Sequence, residues 1–159
     1  MKKAQRTTPQ LPRSAARLAA VQAVYEMEVS GADAQSILDN FLRQRWPWSG
    51  AMETLPPPDL DLLTRLVHGI EKVQANLDRA IDAVLESRQG TLRIELLLRA
   101  ILRAGAYELD SMRETPAKVI INEYINLGHA FYSSGEPALV NAILDKLASQ
   151  FRGDFPSST

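Results

Sequence analysis

In almost every long segment of this chain apolar residues recur at helical spacing, and no stretch shows a convincing two-residue alternation of a half-buried strand. An all-α fold follows. The most constraining segment is TLRIELLLRAILRAGAYELD, Thr91 to Asp110, which is apolar around most of its girth and therefore belongs at the centre of the second half. The first helix is expected from Arg13 to Ser30, with Pro12 suited to its first turn, Gly31 to its stop, and Leu18, Val21, Tyr25 and Val29 as its core stripe. A short second helix carries Ile37, Leu38, Phe41 and Leu42 behind Asp33 as N-cap.

RWPWSGAMETLPPPD then breaks the period and reads as a loop, with Trp46 and Trp48 folding back on the body. Asp59 caps a long stretch through Leu62, Leu66, Val67, Ile70, Val73, Leu77, Ile81 and Leu85, which a break near Asn76 would divide, and Gly90 ends it. Thr115 as N-cap and Pro116 at the first helical position open the next helix, and Pro137 opens the last. Residues 151–159 read as a frayed tail, in which the RGD tripeptide is a coincidence.

Composition removes several classes of function. There is no cysteine, hence no disulfide framework, thiolate cage or cysteine nucleophile, as suits a reducing compartment. His68 and His129, the only histidines, stand far apart without a close acidic ligand pair, so neither a metal nor a hydrolytic centre is expected. The phosphate-binding glycine motifs are missing as well, and no cofactor or enzymatic activity is expected. MKKAQRTTPQLP lacks the apolar core of a signal peptide, and the other apolar runs are too short to span a bilayer, so the expected location is the cytoplasm, away from membranes.

The net charge of −1 conceals an asymmetry. From Met1 to Tyr25 there are five basic residues, Lys2, Lys3, Arg6, Arg13 and Arg17, and no acid, which leaves 13 basic against 19 acidic residues in the remainder. A basic arm on an acidic body suits a polyanion at one end and a basic partner elsewhere, although a solvated tail accounts for the charges equally well. Arg13 and Arg17 share a helix face with no acid within a turn, and they repel each other by about 0.2–0.5 kcal/mol. A phosphate backbone would supply the counter-charge, and so would salt.

Four blocks resemble the NusB family of bacterial transcription antitermination factors. RSAARLAAVQAVYEMEVSG looks like its Arg-rich opening helix with an A-x-Q-x-L-Y type sequence. ILRAGAYEL, TPAKVIINEYINLGHAF and ALVNAILDKLA are similar to its L-R-x-A-x-Y-E-L, P-x-K-V-x-I-N-E-x-I-x-L-x-x-x-F and F-V-N-G-V-L-D-K segments, in the same order. The resemblance implies about seven helices in two packed small bundles: a flexible arm over 1–12, then one domain over 13–150 with bundles of about 13–88 and 91–150. It also implies binding of the single-stranded boxA element of ribosomal RNA transcripts together with NusE, a small-subunit ribosomal protein, in a complex with NusA, NusG and RNA polymerase. Whether the free protein is a homodimer is left open.

Carried over residue by residue, the RNA contacts fall on Lys2, Arg6, Arg13 and Arg17, with Lys3 beside them, and on Tyr25, Phe131, Gly135 and Leu139. Tyr25 and Phe131 read equally as core. Leu139 stands where the family has Phe, Ala142 where it has Gly, and Gly135 where some members carry an acid. For the protein partner the candidates are Glu95, which offers a carboxylate to a basic surface, and Arg99, although the family's acidic contact position falls on Leu98 here.

VIINEYINLGHAF raises a separate question, because Asn122 and Glu123 interrupt an apolar run whose core stripe is Ile120, Tyr124, Leu127 and Phe131. Glu123 at the stripe's edge is expected to pair with Arg99 or Arg103 of the preceding helix, Arg103 being structural, while Asn122 points away beside Lys118 and His129. Two rivals stand beside the antitermination reading. One is a relative of the NusB-like domain of ribosomal RNA cytosine methyltransferases, although the chain is short for their catalytic domain and has no attacking cysteine. The other is a helical adaptor that binds protein alone.

Overall fold

The structure, a computed structural model, describes residues 10–43, 56–89 and 93–153. Among them run six α-helices: α1 (Gln10–Ser30), α2 (Ala34–Arg43), α3 (Leu60–Gln89), α4 (Leu96–Ser111), α5 (Ala117–Phe131) and α6 (Glu136–Arg152). The helix count is thus six where about seven were expected. The break anticipated near Asn76 is a kink at Val73 (φ −119°, ψ 21°) that α3 crosses without ending. The Trp46 and Trp48 loop lies outside the described residues, as does the stop at Gly90.

One continuous core joins all six helices, and α4 is its centre, packing against α1, α3, α5 and α6. Ala100, Ile101, Leu102, Ala104, Ala106 and Leu109 are fully buried, as a helix apolar around most of its girth requires. Its small residues let neighbours approach closely. Gly69 of α3 does the same from the other side, since a Cβ there would overlap the Tyr107 ring and hydroxyl.

In α1 the core falls on Ala16, Ala19, Ala20, Ala23 and Val24 as well as Leu18 and Val21. Tyr25 and Val29, expected on the core stripe, are instead 39% and 59% exposed. The physical reason is the alanine run: side chains this short bring α1 close against its neighbours on that face, and in its last turns Met27, not Tyr25 or Val29, packs against the core.

The helix ends follow local chemistry. Gly31 (φ 80°) donates its N–H to the Met27 carbonyl at 2.9 Å and stops α1 in a left-handed conformation. Asp33 Oδ1 accepts the Ser36 N–H at 2.9 Å, a bond that holds its carboxyl below the usual range, and Asp59 Oδ1 accepts the Leu62 N–H at 3.1 Å. Asp59 also donates its own N–H to the Pro12 carbonyl at 3.0 Å, so α1 and α3 begin at the same end of the molecule. At α5 the cap position is Pro116, not Thr115, and no side chain caps it. The Thr115 carbonyl faces a different donor, Arg152.

Phe151 and Arg152, expected in a frayed tail, belong to α6. The Arg152 guanidinium donates to the carbonyls of Leu109 and Thr115 at 2.8 Å each, Met112 at 3.2 Å and Glu108 at 3.3 Å. The Leu109 carbonyl, in the last turn of α4, has no helical N–H to reach it, whereas Glu108 also accepts the Met112 N–H and Met112 the Thr115 N–H. A planar fork with five donors suits several carbonyls converging on one point.

Candidate nucleic-acid and partner interface

The first surprise concerns Arg17. It is 1% exposed, and its Nε and Nη2 donate to Glu108 Oε2 and Oε1 at 2.6 and 3.0 Å. Tyr124 donates its hydroxyl to the same Oε2 at 2.6 Å, while Arg17 Nη1 lies 3.3 Å from Glu123 Oε1, which also accepts the Ser14 hydroxyl at 2.6 Å. Burial alone would lower the guanidinium pKa, but the bonds and charge of Glu108, with Glu123 behind them, reverse this and hold it raised. Burial, and then the charge of Glu108, keep the Tyr124 phenol well above its usual value.

Arg17 is therefore withdrawn from the set of RNA contacts: its counter-charge is internal, supplied by α4 and α5 rather than by its own helix. Glu123 does pair across helices, but with Arg17 and Ser14 of α1 in place of Arg99 or Arg103. Arg103 keeps a structural role through Asp78 at 2.8 Å and Glu28 at 3.0 Å. Arg99, expected at a partner surface, is held by Asp82 at 2.8 Å and Asp78 at 3.3 Å. Both arginines join α4 to α3 because they lie one turn apart on the side that faces it.

Arg13 keeps solvent access, with 35% of its side chain exposed and Asp59 Oδ2 at 4.0 Å, a loose pairing. Lys2, Lys3 and Arg6 lie outside the described residues. Beside α1, α5 turns Lys118, Asn122, Asn126 and His129 outward along one stripe, so Asn122 is exposed. The single acid of α5, Glu123, is turned toward α1 and occupied there. Phe131, at the end of α5, is half-buried against the core.

The remaining expected contacts lie at the other end of α1. From Arg13 to Tyr25 the helix advances about 18 Å, so the basic start and Tyr25 do not form one compact site. Gly135 and Leu139 gather at the facing starts of α4 and α6, where a pocket of about 300 Å³ is lined by Arg93, Ile94, Glu95, Leu98, Glu136 and these two residues. Glu95 is exposed and caps nothing with its side chain. Glu136 Oε1 is out of water with no hydrogen-bond partner among the described residues. The Tyr132 hydroxyl is likewise buried and lies beside Glu95 without a well-formed hydrogen bond. Burial, then the Glu95 carboxylate, push that phenol up.

Sequence reasoning missed Glu108, Glu136 and Ser14. Glu108 alone left a readable signal, as a carboxylate inside the most apolar helix demands a buried partner. Glu136 left none, because the pocket exists only once α4 and α6 meet. Among the described residues no group of three His, Cys, Asp or Glu could hold a metal ion, and no helix is long and apolar enough to cross a membrane.

Comparison with known proteins agrees with this architecture. Residues 14–149 match the sequence model of the NusB family. The chain is 42% identical over 143 residues to the transcription antitermination protein NusB of Bradyrhizobium sp. (strain ORS 278), covering 89% of this chain and 84% of that protein. It is 39% identical over 142 residues to the protein of the same name from Maricaulis maris (strain MCS10), covering 89% of each. The solved structure of T. maritima NusB superposes with a TM-score of 0.69 at 25% identity, over 98% of this chain and 96% of that one.

Proposed function

The chain belongs to the NusB family of transcription antitermination proteins, which are not enzymes, and on that premise we propose that it binds boxA-type RNA of ribosomal RNA transcripts together with NusE. In this reading the pair joins NusA, NusG and RNA polymerase to keep elongation from terminating early. The basic arm of Lys2, Lys3 and Arg6, with Arg13, takes the phosphate backbone. The RNA continues along α5 past Lys118, Asn122, Asn126 and His129 toward Phe131.

One observation carries the RNA surface: Arg17 and Ser14 occupy Glu123, the only carboxylate on α5, so the stripe beside it offers a cation and amide donors without a competing acid. A phosphate chain is repelled by free carboxylates and drawn by such donors. Arg17 then serves RNA binding indirectly. The opposite end, with Glu95 and Glu136, suits a basic protein instead.

Fluorescence anisotropy of labelled boxA RNA, with and without NusE, tests the reading against a scrambled RNA. Binding is expected to be selective, to strengthen with NusE, and to weaken in Arg13→Ala/Lys118→Ala. Four or five phosphate contacts give a log-log salt slope of about −3. Absence of RNA binding with NusE bound would leave a protein-only adaptor.

A further inference from the structure

The way from Arg13 to Lys118 passes an acid. Between the end of α4 at Ser111 and the start of α5 at Ala117 stands Glu114, four positions before Lys118. Its carboxylate is already engaged: Arg65 of α3 donates from Nη1 to Glu114 Oε2 at 3.3 Å, the two side chains being 55% and 60% exposed. A bond from its own backbone N–H holds the Glu114 carboxyl below the usual range, and the bond and charge of Arg65, then the charge of Arg13, add to this. Glu114 thus lies in the field of two arginines on different helices, in the place a phosphate group would take.

The neighbouring acid is different in kind. Asp59 gives Oδ1 to the Leu62 N–H and its own N–H to the Pro12 carbonyl, so it is built into the start of α3. Its Oδ2 reaches Arg13 only at 4.0 Å, too long for a hydrogen bond, and Arg13 keeps its donors for a ligand.

We infer that Glu114 is an internal competitor for RNA, a carboxylate that an incoming phosphate displaces from Arg65, and that Arg65 is thereby a further phosphate-binding residue beside Arg13. The inference rests on the RNA reading above for its ligand and adds the exchange. Three properties make the pair exchangeable. Both partners stand mostly in water, where an ion pair has little net stability. Their contact is a single bond from one nitrogen, whereas a phosphate can take two parallel bonds from the same fork. RNA also releases condensed counterions when a cation neutralises its phosphates, a gain that one side-chain carboxylate does not offer. Phosphate contacts carry no base information, so the competitor lowers the affinity for every RNA by the same factor and leaves selectivity unchanged.

The test is anisotropy of labelled boxA and scrambled RNA over a series of chloride concentrations, using the full chain as wild type, Glu114→Gln, Arg65→Gln and the double variant. Thermal melts confirm that each is folded and should differ little. Glu114→Gln is expected to bind both RNAs about 3- to 5-fold more tightly. Its log-log salt slope should steepen, because no freed carboxylate takes up a cation. Arg65→Gln should weaken both RNAs and make the slope shallower by about 0.7, the share of one phosphate contact. The double variant should bind less tightly than the two single effects combined, since each single variant already abolishes the same pair.

Tighter binding of both RNAs by Glu114→Gln, with that shortfall in the double variant, supports the exchange. A Glu114→Gln chain that binds RNA no more tightly than the wild type overturns the competitor while leaving RNA binding itself intact. Single effects that add in full mean that Glu114 acts only through its field, and an unchanged slope in Arg65→Gln removes Arg65 from the contacts; either overturns the exchange. If neither the wild type nor Glu114→Gln binds RNA, with or without NusE, the RNA reading and this inference fall together.

Discussion

A buried guanidinium with two carboxylates and a phenol around it is strongly interdependent, because Arg17, Glu108 and Tyr124 are out of water and satisfied by one another, with Glu123 at the edge. Arg17→Ala leaves Glu108 ionised in the core without its bidentate partner. The expected cost is about 3–5 kcal/mol, read as a shift in urea midpoint at constant slope. Replacing the fully buried trio, by Arg17→Met/Glu108→Leu/Tyr124→Phe, leaves only the partly exposed Glu123, still bonded to Ser14, and should cost less than Arg17→Ala alone. A triple variant less stable than the single would refute this account.

Tyr124 adds a pH dependence whose sign is fixed. Its folded pKa lies well above the usual value of 10.0, so the unfolded chain loses the proton first. Its stabilisation is present below about pH 10 and is lost as pH rises beyond that toward the folded pKa. Melting temperature should therefore fall more steeply above pH 10 in the wild type than in Tyr124→Phe. None of this was legible in RSAAR, where a helical window contains no acid. The partners of Arg17 stand 91 and 106 positions away.

At the scale of elements, periodicity located every helix among the described residues, since large apolar side chains at three- and four-residue spacing have little alternative use. It failed where the core is made of alanine. In α1 the eye follows Leu18, Val21, Tyr25 and Val29, but short side chains decide which face goes inward, and the last two are left outside. The helix ends were legible where a side chain caps, at Asp33 and Asp59, and not where a distant residue does, at the close of α4. That closure makes a prediction. Arg152→Ala should cost about 1.5–3 kcal/mol, the worth of a charge-assisted bond to the backbone, and Arg152→Lys should recover only part of it because an ammonium lacks the fork. Hydrogen exchange would place the loss in the last turn of α4, around residues 108–112.

The molecule as a whole separates its charges along α1. Arg13 lies near the start of α1, the α5 stripe runs on from there, and the acidic pocket lies beyond, where α5 has ended and Gly128 packs against Pro137 of α6. If RNA and protein partner use these two ends, Arg13→Ala/Lys118→Ala should weaken RNA without altering the NusE affinity of the RNA-free chain. Glu136→Gln should do the reverse, and in stability the two sets should add to within about 0.3–0.5 kcal/mol, as distant sites do. Larger non-additivity in paired melts would mean the ends communicate. The all-α architecture and the family were readable before any coordinates, from four ordered blocks, whereas the sorting of residues between the ends was not. Glu136 adjoins Gly135 in the chain, but Glu95 joins them only through the meeting of α4 and α6. Arg152 carries one more consequence, for the order in which the chain is made. Its guanidinium serves the Leu109 carbonyl, 43 positions earlier, so a ribosome will have translated all of α5 and α6 before the last turn of α4 gains this donor. Until then the growing chain carries an unanswered carbonyl at the end of its most apolar helix, which is where a chaperone or a protease would find it.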